Sequence, residues 1–250
     1  MWPYPKIVAH RGGGTLAPEN TFAGLRCGLA YGFRAVEFDV MLAGDGVAVV
    51  MHDPCLGRTV NGSGNVCDYT AAELAAMDAG SWFGAGFAGE TVPLFSRFAD
   101  YCKSQRIWMN IEIKPAPGFD AATGQTVAAA ARACFDAEIA AGDIPRMPLL
   151  SSFSFAALAA ARDAAPDLPR GLLVDKIPAD WEAQLRSLGA VALHTNHKHL
   201  TPALAAAVKR AGPGLFCYTV NDAARAREIL GWGVDGFCTD RIDLIGPAFA

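Results

Sequence analysis

Short β-rich runs alternate with alanine-rich amphipathic stretches along almost the whole chain, and this alternation is the strongest constraint on its fold. Parallel strands need crossovers of a dozen or more residues, and helices usually supply them. Nine runs read as strands: residues 6–10, 35–40, 47–52, 107–113, 148–153, 171–175, 191–195, 215–220 and 236–239. Only Met41 to Gly46 separate the second run from the third, which is too short for a crossover, so these two should form an antiparallel hairpin with Asp45-Gly46 in its turn. With 47–52 set aside, eight parallel strands remain, each followed by a helix candidate such as 19–31, 95–105, 121–141 or 222–230. Eight strand–helix units make a (β/α)₈ barrel, the TIM barrel, for which 250 residues is an ordinary length. A doubly wound open sheet would call for G-x-G-x-x-G after the first strand, and Gly12-Gly13-Gly14 does not supply it.

The whole chain, 1–250, is therefore expected to be one domain. Its one irregular stretch, 54–93, carries seven glycines and the aromatics Trp82, Phe83 and Phe87. Connections beyond about 15 residues are usually functional, and this one reads as an insertion closing over the barrel mouth, with a helical turn near 71–77. Hydrophobic residues at 52% and charged residues at 18% exclude disorder. A net charge of −4 without a Lys/Arg cluster argues against nucleic acid as partner. Seven cysteines with no C-x-x-C spacing form no self-contained disulfide framework. The N-terminal residues lack the apolar core of a signal peptide, and no run approaches a membrane span. The expectation is a soluble cytoplasmic protein, monomeric or homodimeric, with a small-molecule partner.

In such a barrel the chemistry collects where the strands end. Strand one ends in His10-Arg11, strand two carries Glu37 and Asp39, and the strand at 107–113 leads Glu112 into Lys114. Period-two alternation puts Glu37 with Asp39, and Glu112 with Lys114, on one inward face, while Val36, Phe38, Val40, Ile111 and Ile113 face the helices. With the hairpin turn centred near Gly44 and Asp45, position 52 falls opposite position 37 within a residue or so, which brings His52 to the same mouth.

A purely structural ionic network with Arg11 and Lys114 is the plainer interpretation of these charges. Two carboxylates ~4 Å apart repel by about 4 kcal/mol at an effective dielectric near 20, so three ionised together cost roughly 12 kcal/mol. Either some hold protons or a cation binds. Oxygen ligands alone suit a hard divalent ion, Mg²⁺ or Ca²⁺. Three carboxylates, one divalent ion, Arg11 and Lys114 sum to +1, which a phosphodiester at −1 neutralises. His10 and His52 then suit general acid–base work at phosphorus.

The segments His10-Arg11-Gly12, Pro18-Glu19-Asn20-Thr21, Glu37-x-Asp39, His52-Asp53, Glu112-Ile113-Lys114, Tyr218-Thr219-Val220-Asn221, Gly233-Val234-Asp235-Gly236 and Thr239-Asp240, in this order, resemble the glycerophosphodiester phosphodiesterase family. The stretches Arg58-Thr59-Val60-Asn61-Gly62 and Gly80-Ser81-Trp82-Phe83 resemble its lid segment, and Lys114-Pro115-x-Pro117-Gly118 resembles its short cytosolic bacterial form. The resemblance implies hydrolysis of diesters such as glycerophosphocholine or glycerophosphoethanolamine to sn-glycerol 3-phosphate and an alcohol. It further implies that His10 and His52 form the acid–base pair, that Glu37, Asp39 and Glu112 hold the metal, and that Arg11 and Lys114 grip the phosphate. Tyr218 stands where the family often has tryptophan and would present its ring to glycerol. Attack by the neighbouring glycerol hydroxyl, giving a cyclic phosphate that water opens, avoids the entropy cost of recruiting water first.

Other polar residues have plainer readings. His194, His197 and His199 match no zinc signature; His194 is expected at a strand end lining the pocket, and the other two on the surface. Glu19 is expected to cap a helix and pair with Arg11, and Asp240 to cap the last helix or orient a basic residue. Cys217 and Cys238 are expected as packed thiols, and Ser151, Ser152 and Ser154 lack the G-x-S-x-G context of a serine hydrolase. A related phospholipase D-like or phosphoinositide-cleaving lipid phosphodiesterase would need an exposed apolar rim, for which Trp82, Phe83 and Phe87 are the candidates.

Overall fold

The expected strands form as β1 (Ile7–His10), β2 (Ala35–Leu42), β3 (Ala48–Val50), β4 (Trp108–Ile113), β5 (Leu149–Ser152), β6 (Arg170–Val174), β7 (Ala192–Asn196), β8 (Gly214–Tyr218) and β9 (Gly236–Thr239). In the computed structural model, which describes residues 2–249, all but β3 run parallel and close into an eight-stranded TIM barrel; residues 1 and 250 of the expected domain lie outside the described residues. Closure comes from β1, which pairs with β2 (His10 opposite Glu37) and with β9 (Ile7 opposite Phe237).

Helices α1 (Phe22–Ala30), α2 (Ala71–Ala75), α3 (Phe95–Ser104), α4 (Asp120–Cys134), α5 (Asp136–Ala141), α6 (Phe155–Ala164), α7 (Trp181–Leu188), α8 (Pro202–Ala211) and α9 (Ala223–Gly231) pack outside the ring, apart from α2 in the insertion. Thr21, Ser154, Thr201 and Asp222 cap α1, α6, α8 and α9 by accepting a backbone N–H. Phe38 on β2 packs at a tilt on Phe95 and Phe98 of α3, with centroids 6.3 and 4.7 Å away, and burying each such ring stabilises the fold by about 1.5–3 kcal/mol. Helices α4 and α6 meet backbone to backbone because residue 124 is glycine: a Cβ there would lie 2.1 Å from the Ala157 carbonyl oxygen.

Three expectations change. The helix expected at 121–141 breaks at Phe135, whose ring is buried and whose backbone leaves helical geometry (φ −110°, ψ 22°), while Lys103 Nζ donates to the freed Cys134 carbonyl at 2.5 Å. No helix follows β9 among the described residues, so seven strands rather than eight carry one; turns take its place, with Ile242 and Ile245 buried, and Pro247 disfavours helix at Gly246. The hairpin loop is Gly44-Asp45-Gly46, closed by Ala43 N–H to the Val47 carbonyl, with Gly46 at φ 77°. That three-residue loop pairs Val40 with Val50 and Met41 with Val49, one residue away from the expected register, and the ladder stops before His52.

Residues 54–93 hold the helical turn α2 and a small core of their own, in which Leu56, Val60, Val66 and Leu74 pack on Met41, Val49 and Met51 of the hairpin.

Candidate active site

Alternation along β2 and β4 sends Phe38, Val40, Ile111 and Ile113 into the outer core and turns Glu37, Asp39 and Glu112 inward. Asp39 lies opposite Glu112 in the ladder, and one carboxylate oxygen from each of the three residues lies within 4.8 Å of the others. All three side chains are buried. Burial and the neighbouring carboxylates raise the Glu37 carboxyl to about 8, against a partial offset from His10. Glu112 is also raised, by burial and Asp39, with Lys114 opposing. Asp39 goes the other way: burial disfavours its charge, but Arg11, Lys114, His52 and an Asn20 hydrogen bond outweigh it.

Arg11 Nε lies 3.3 Å and Lys114 Nζ 3.5 Å from Asp39, and Lys114 also donates to Glu112 at 3.0 Å. These cations meet the charge of Asp39 and part of that of Glu112. Glu37 Oε1, buried and without any hydrogen-bond partner, is left over. An orphaned carboxylate oxygen beside two other acidic oxygens is the donor set of a hard divalent ion, and the triad fits one.

The structure brings both histidines to this mouth, each backed by an aspartate. His10 Nδ1 lies 2.6 Å from Asp240 Oδ1, and its Nε2 3.6 Å from Glu37. Burial opposes protonation of His10, yet Glu37 and Asp240 raise its pKa overall. His52 Nδ1 lies 2.6 Å from Asp53 Oδ1; burial lowers its pKa, with Asp39 opposing. The expected neighbour of His52 was Glu37, but the shifted hairpin leaves it under the influence of Asp39 instead. A cavity of about 280 Å³ joins both imidazoles to Arg11, Lys114, Phe153 and Tyr218. Tyr218 is locked by donating to the Val174 carbonyl at 2.9 Å and meets Phe153 edge to face at 5.5 Å.

His194 is not at a strand end. It sits mid-strand in β7, its ring against Phe216 and over Gly171, with both ring nitrogens unpartnered and its pKa lowered by burial to about 3. His197 and His199 lie apart from it on the following loop, beside Arg225 and Asp175. Asp240 caps no helix and orients His10, itself held by Asn221. Gly14 makes that approach feasible: φ is 54° there, and a Cβ would lie 2.1 Å from the Asp240 carbonyl oxygen. Glu19 pairs with Arg11 at 2.8 Å as expected, while the capping side chain is that of Thr21. Cys217 and Cys238 are buried free thiols.

Two residues escaped the sequence reading. Asn20, buried at φ 58°, donates Nδ2 to Asp39 at 3.0 Å and accepts the Asp39 N–H; its place beside the cap Thr21 was the available signal. Arg58 on the insertion reaches Glu19 and Asp53, contacts that no local pattern announces.

Comparison with known proteins agrees with this geometry. The family model described as the glycerophosphoryl diester phosphodiesterase family matches residues 10–244. A glycerophosphodiester phosphodiesterase of Caldanaerobacter subterraneus subsp. tengcongensis is 33% identical over 239 residues, 94% of this chain and 93% of the relative. Among solved structures, an Oleispira antarctica phosphodiesterase in complex with the product sn-glycerol-3-phosphate superposes with a TM-score of 0.84 at 33% identity, covering 94% of this chain and 93% of that one. The glycerophosphodiester phosphodiesterase of Agrobacterium tumefaciens gives 0.78 at 30% identity, covering 96% and 98%. The chain belongs to the glycerophosphoryl diester phosphodiesterase family and is a glycerophosphodiester phosphodiesterase.

Proposed function

We propose that the enzyme hydrolyses glycerophosphodiesters such as glycerophosphocholine and glycerophosphoethanolamine to sn-glycerol 3-phosphate and an alcohol, using one divalent ion, Mg²⁺ or Ca²⁺, and the His10/His52 pair. The observation that carries this reading is the buried triad Glu37, Asp39 and Glu112, with its oxygens within 4.8 Å and Glu37 Oε1 orphaned. Adding the ion, Arg11 and Lys114 to that triad leaves +1, the charge one phosphodiester neutralises. The product held by the Oleispira relative is the one proposed for this chain.

The triad would hold the ion, whose contribution is to polarise the phosphoryl oxygens and offset the charge that builds there. Arg11 and Lys114 grip the phosphate, and Tyr218 packs on the glycerol. Asp240 and Asp53 each accept an Nδ1–H, which leaves Nε2 of both imidazoles as the working nitrogen. His52, with its lowered pKa, takes the proton of the glycerol 2-hydroxyl as that oxygen bonds to phosphorus. His10, with its raised pKa, gives a proton to the leaving alcohol as its P–O bond breaks. A cyclic phosphate results, and water opens it with the two roles reversed. His194, neutral at working pH, is part of the pocket's floor and meets the substrate side as an uncharged ring.

The rest of the reading is one domain with the 54–93 insertion closing over the mouth, working on water-soluble diesters in the cytoplasm as monomer or homodimer, without nucleic-acid or membrane partners. Seven free cysteines fit a reducing compartment, and no helix is long and apolar enough to cross a membrane. Glycerol 3-phosphate release from glycerophosphocholine in a coupled assay tests the proposal: turnover abolished by chelator and restored by Mg²⁺ or Ca²⁺ supports it, and chelator-resistant turnover refutes its metal component.

A second reading, a lipid phosphodiesterase, gains from one observation. Phe119, Phe153 and Phe155 are 40, 48 and 42% exposed, and Ser154 Oγ donates to Asp120 at 2.6 Å, tying their two loops together beside the cavity. Trp82, Phe83 and Phe87, the expected rim, meet one another edge to face at 5.5 and 5.3 Å, and of the three only Trp82 is among the exposed large hydrophobics. Faster turnover of micellar lysophosphatidylcholine than of glycerophosphocholine would favour this reading.

A further inference from the structure

We propose that Arg58, carried by the insertion, is a positioning residue that aligns His52 and Arg11 together through the carboxylates of Asp53 and Glu19. The proposal rests on the phosphodiesterase reading above and adds to it a residue with no assigned role.

The insertion builds the turn that delivers this side chain. Gly57 N–H donates to the Val60 carbonyl at 2.8 Å, and Arg58 projects from the bend between them. Its guanidinium forks onto Glu19, with Nη1 to Oε2 at 2.8 Å and Nη2 to Oε1 at 2.7 Å, while Nε donates to Asp53 Oδ2 at 2.5 Å. The far oxygen of Asp53 holds His52 Nδ1 at 2.6 Å, and Glu19 Oε1 also accepts from Arg11 at 2.8 Å. A continuous chain of charge-assisted bonds therefore runs from His52 through Asp53, Arg58 and Glu19 to Arg11. A planar guanidinium meets two carboxylates at fixed angles, which an ammonium cannot reproduce.

Pinning the insertion in place is the plainer role, and the insertion has little need of it. Leu56, Val60, Val66 and Leu74 bury against the hairpin, Gly44 N–H donates to the Tyr69 carbonyl at 2.7 Å, and Asp45 accepts the Ala71 N–H at 3.2 Å. What Arg58 alone supplies is a fixed orientation for two carboxylates that each touch a residue of the reaction centre.

The test uses the full-length enzyme with glycerophosphocholine and saturating Mg²⁺. Arg58→Ala should lower kcat by roughly 10- to 100-fold, the usual cost of losing such an outer partner, with KM rising less than kcat falls. Free guanidinium chloride at non-denaturing concentration should restore part of kcat, tetramethylammonium chloride should not, and Arg58→Lys should recover less than guanidinium does. Tyr69→Phe, which removes another insertion contact (Tyr69 Oη to the Ser63 carbonyl, 2.8 Å), should leave turnover unchanged. Ring ¹⁵N NMR reads the same role without turnover: the Nδ1–H tautomer of His52 should dominate in the parent and lose dominance in Arg58→Ala. Parent-like kcat and tautomer in Arg58→Ala would overturn the proposal, as would a loss of kcat that guanidinium does not rescue and that Tyr69→Phe shares. If the parent protein turns over no glycerophosphodiester, the phosphodiesterase reading fails on its own, and the NMR comparison still decides the role of Arg58.

Discussion

Binding of the divalent ion should release about one proton at neutral pH. Glu37 is raised to about 8 in the ion-free protein by burial and by Asp39 and Glu112, so at pH 7 roughly ten molecules carry the proton there for each that does not. A carboxylate must lose its proton to act as a ligand, so the ion displaces about 0.9 proton from Glu37, and Glu112, also raised, adds to the count. The sign follows: apparent affinity falls with falling pH, by about tenfold per unit below 8 from Glu37 alone. Titration calorimetry of Mg²⁺ or Mn²⁺ at pH 7, in two buffers of different ionisation enthalpy, measures the released protons directly. Glu37→Gln should bind more weakly and release fewer. An affinity independent of pH between 6 and 8, with no buffer dependence of the heat, would refute the reasoning, because it would mean that the ion does not engage Glu37.

Replacing the leaving alcohol with p-nitrophenol, which needs no proton, should restore much of the first-turnover p-nitrophenol release of His10→Ala but not of His52→Ala; equal rescue of both would remove the assignment of acid and base. Asn20→Ala takes from Asp39 a buried hydrogen bond to a charged group, worth about 1.5–3 kcal/mol, and should weaken metal binding by roughly 10- to 100-fold, as calorimetry would show. For His194, the folded pKa near 3 lies below the unfolded value of 6.5, so the unfolded state takes up the proton first and stability is lost as pH falls below about 6.5. Urea unfolding of His194→Leu at pH 7 and pH 5 should show a pH-dependent loss smaller than the parent's by about 2 kcal/mol in all, since the linkage acts only below the unfolded value of 6.5.

Much of the barrel was legible because each strand states its own faces. Glu37-Phe38-Asp39-Val40 and Ile111-Glu112-Ile113 alternate charged and apolar, so the inward acids could be named without coordinates. What escaped depends on contacts remote along the chain or on turn geometry of a single residue. Asp240 orients a basic residue as one of its two expected roles had it, but which one was hidden, since His10 lies 230 positions away, and Arg58 reaches Glu19 across 39. The hairpin register turned on whether Gly46 joined the loop in a left-handed conformation, and one residue of slip changed the neighbour of His52. The depth of His194 was hidden because it depends on Gly171 on the adjacent strand, where a Cβ would lie 2.7 Å from the imidazole.

Side chains from β1, β2, the hairpin and β4 are proposed to converge on one hard ion and one phosphate. A crystal grown with Mn²⁺ and sn-glycerol 3-phosphate, measured for anomalous scattering at the manganese edge, tests it most directly. One strong peak is expected, bonded to oxygens of Glu37, Asp39 and Glu112, with the phosphate beside it between His10 and His52. A peak elsewhere, or a phosphate bound away from both imidazoles, would contradict it.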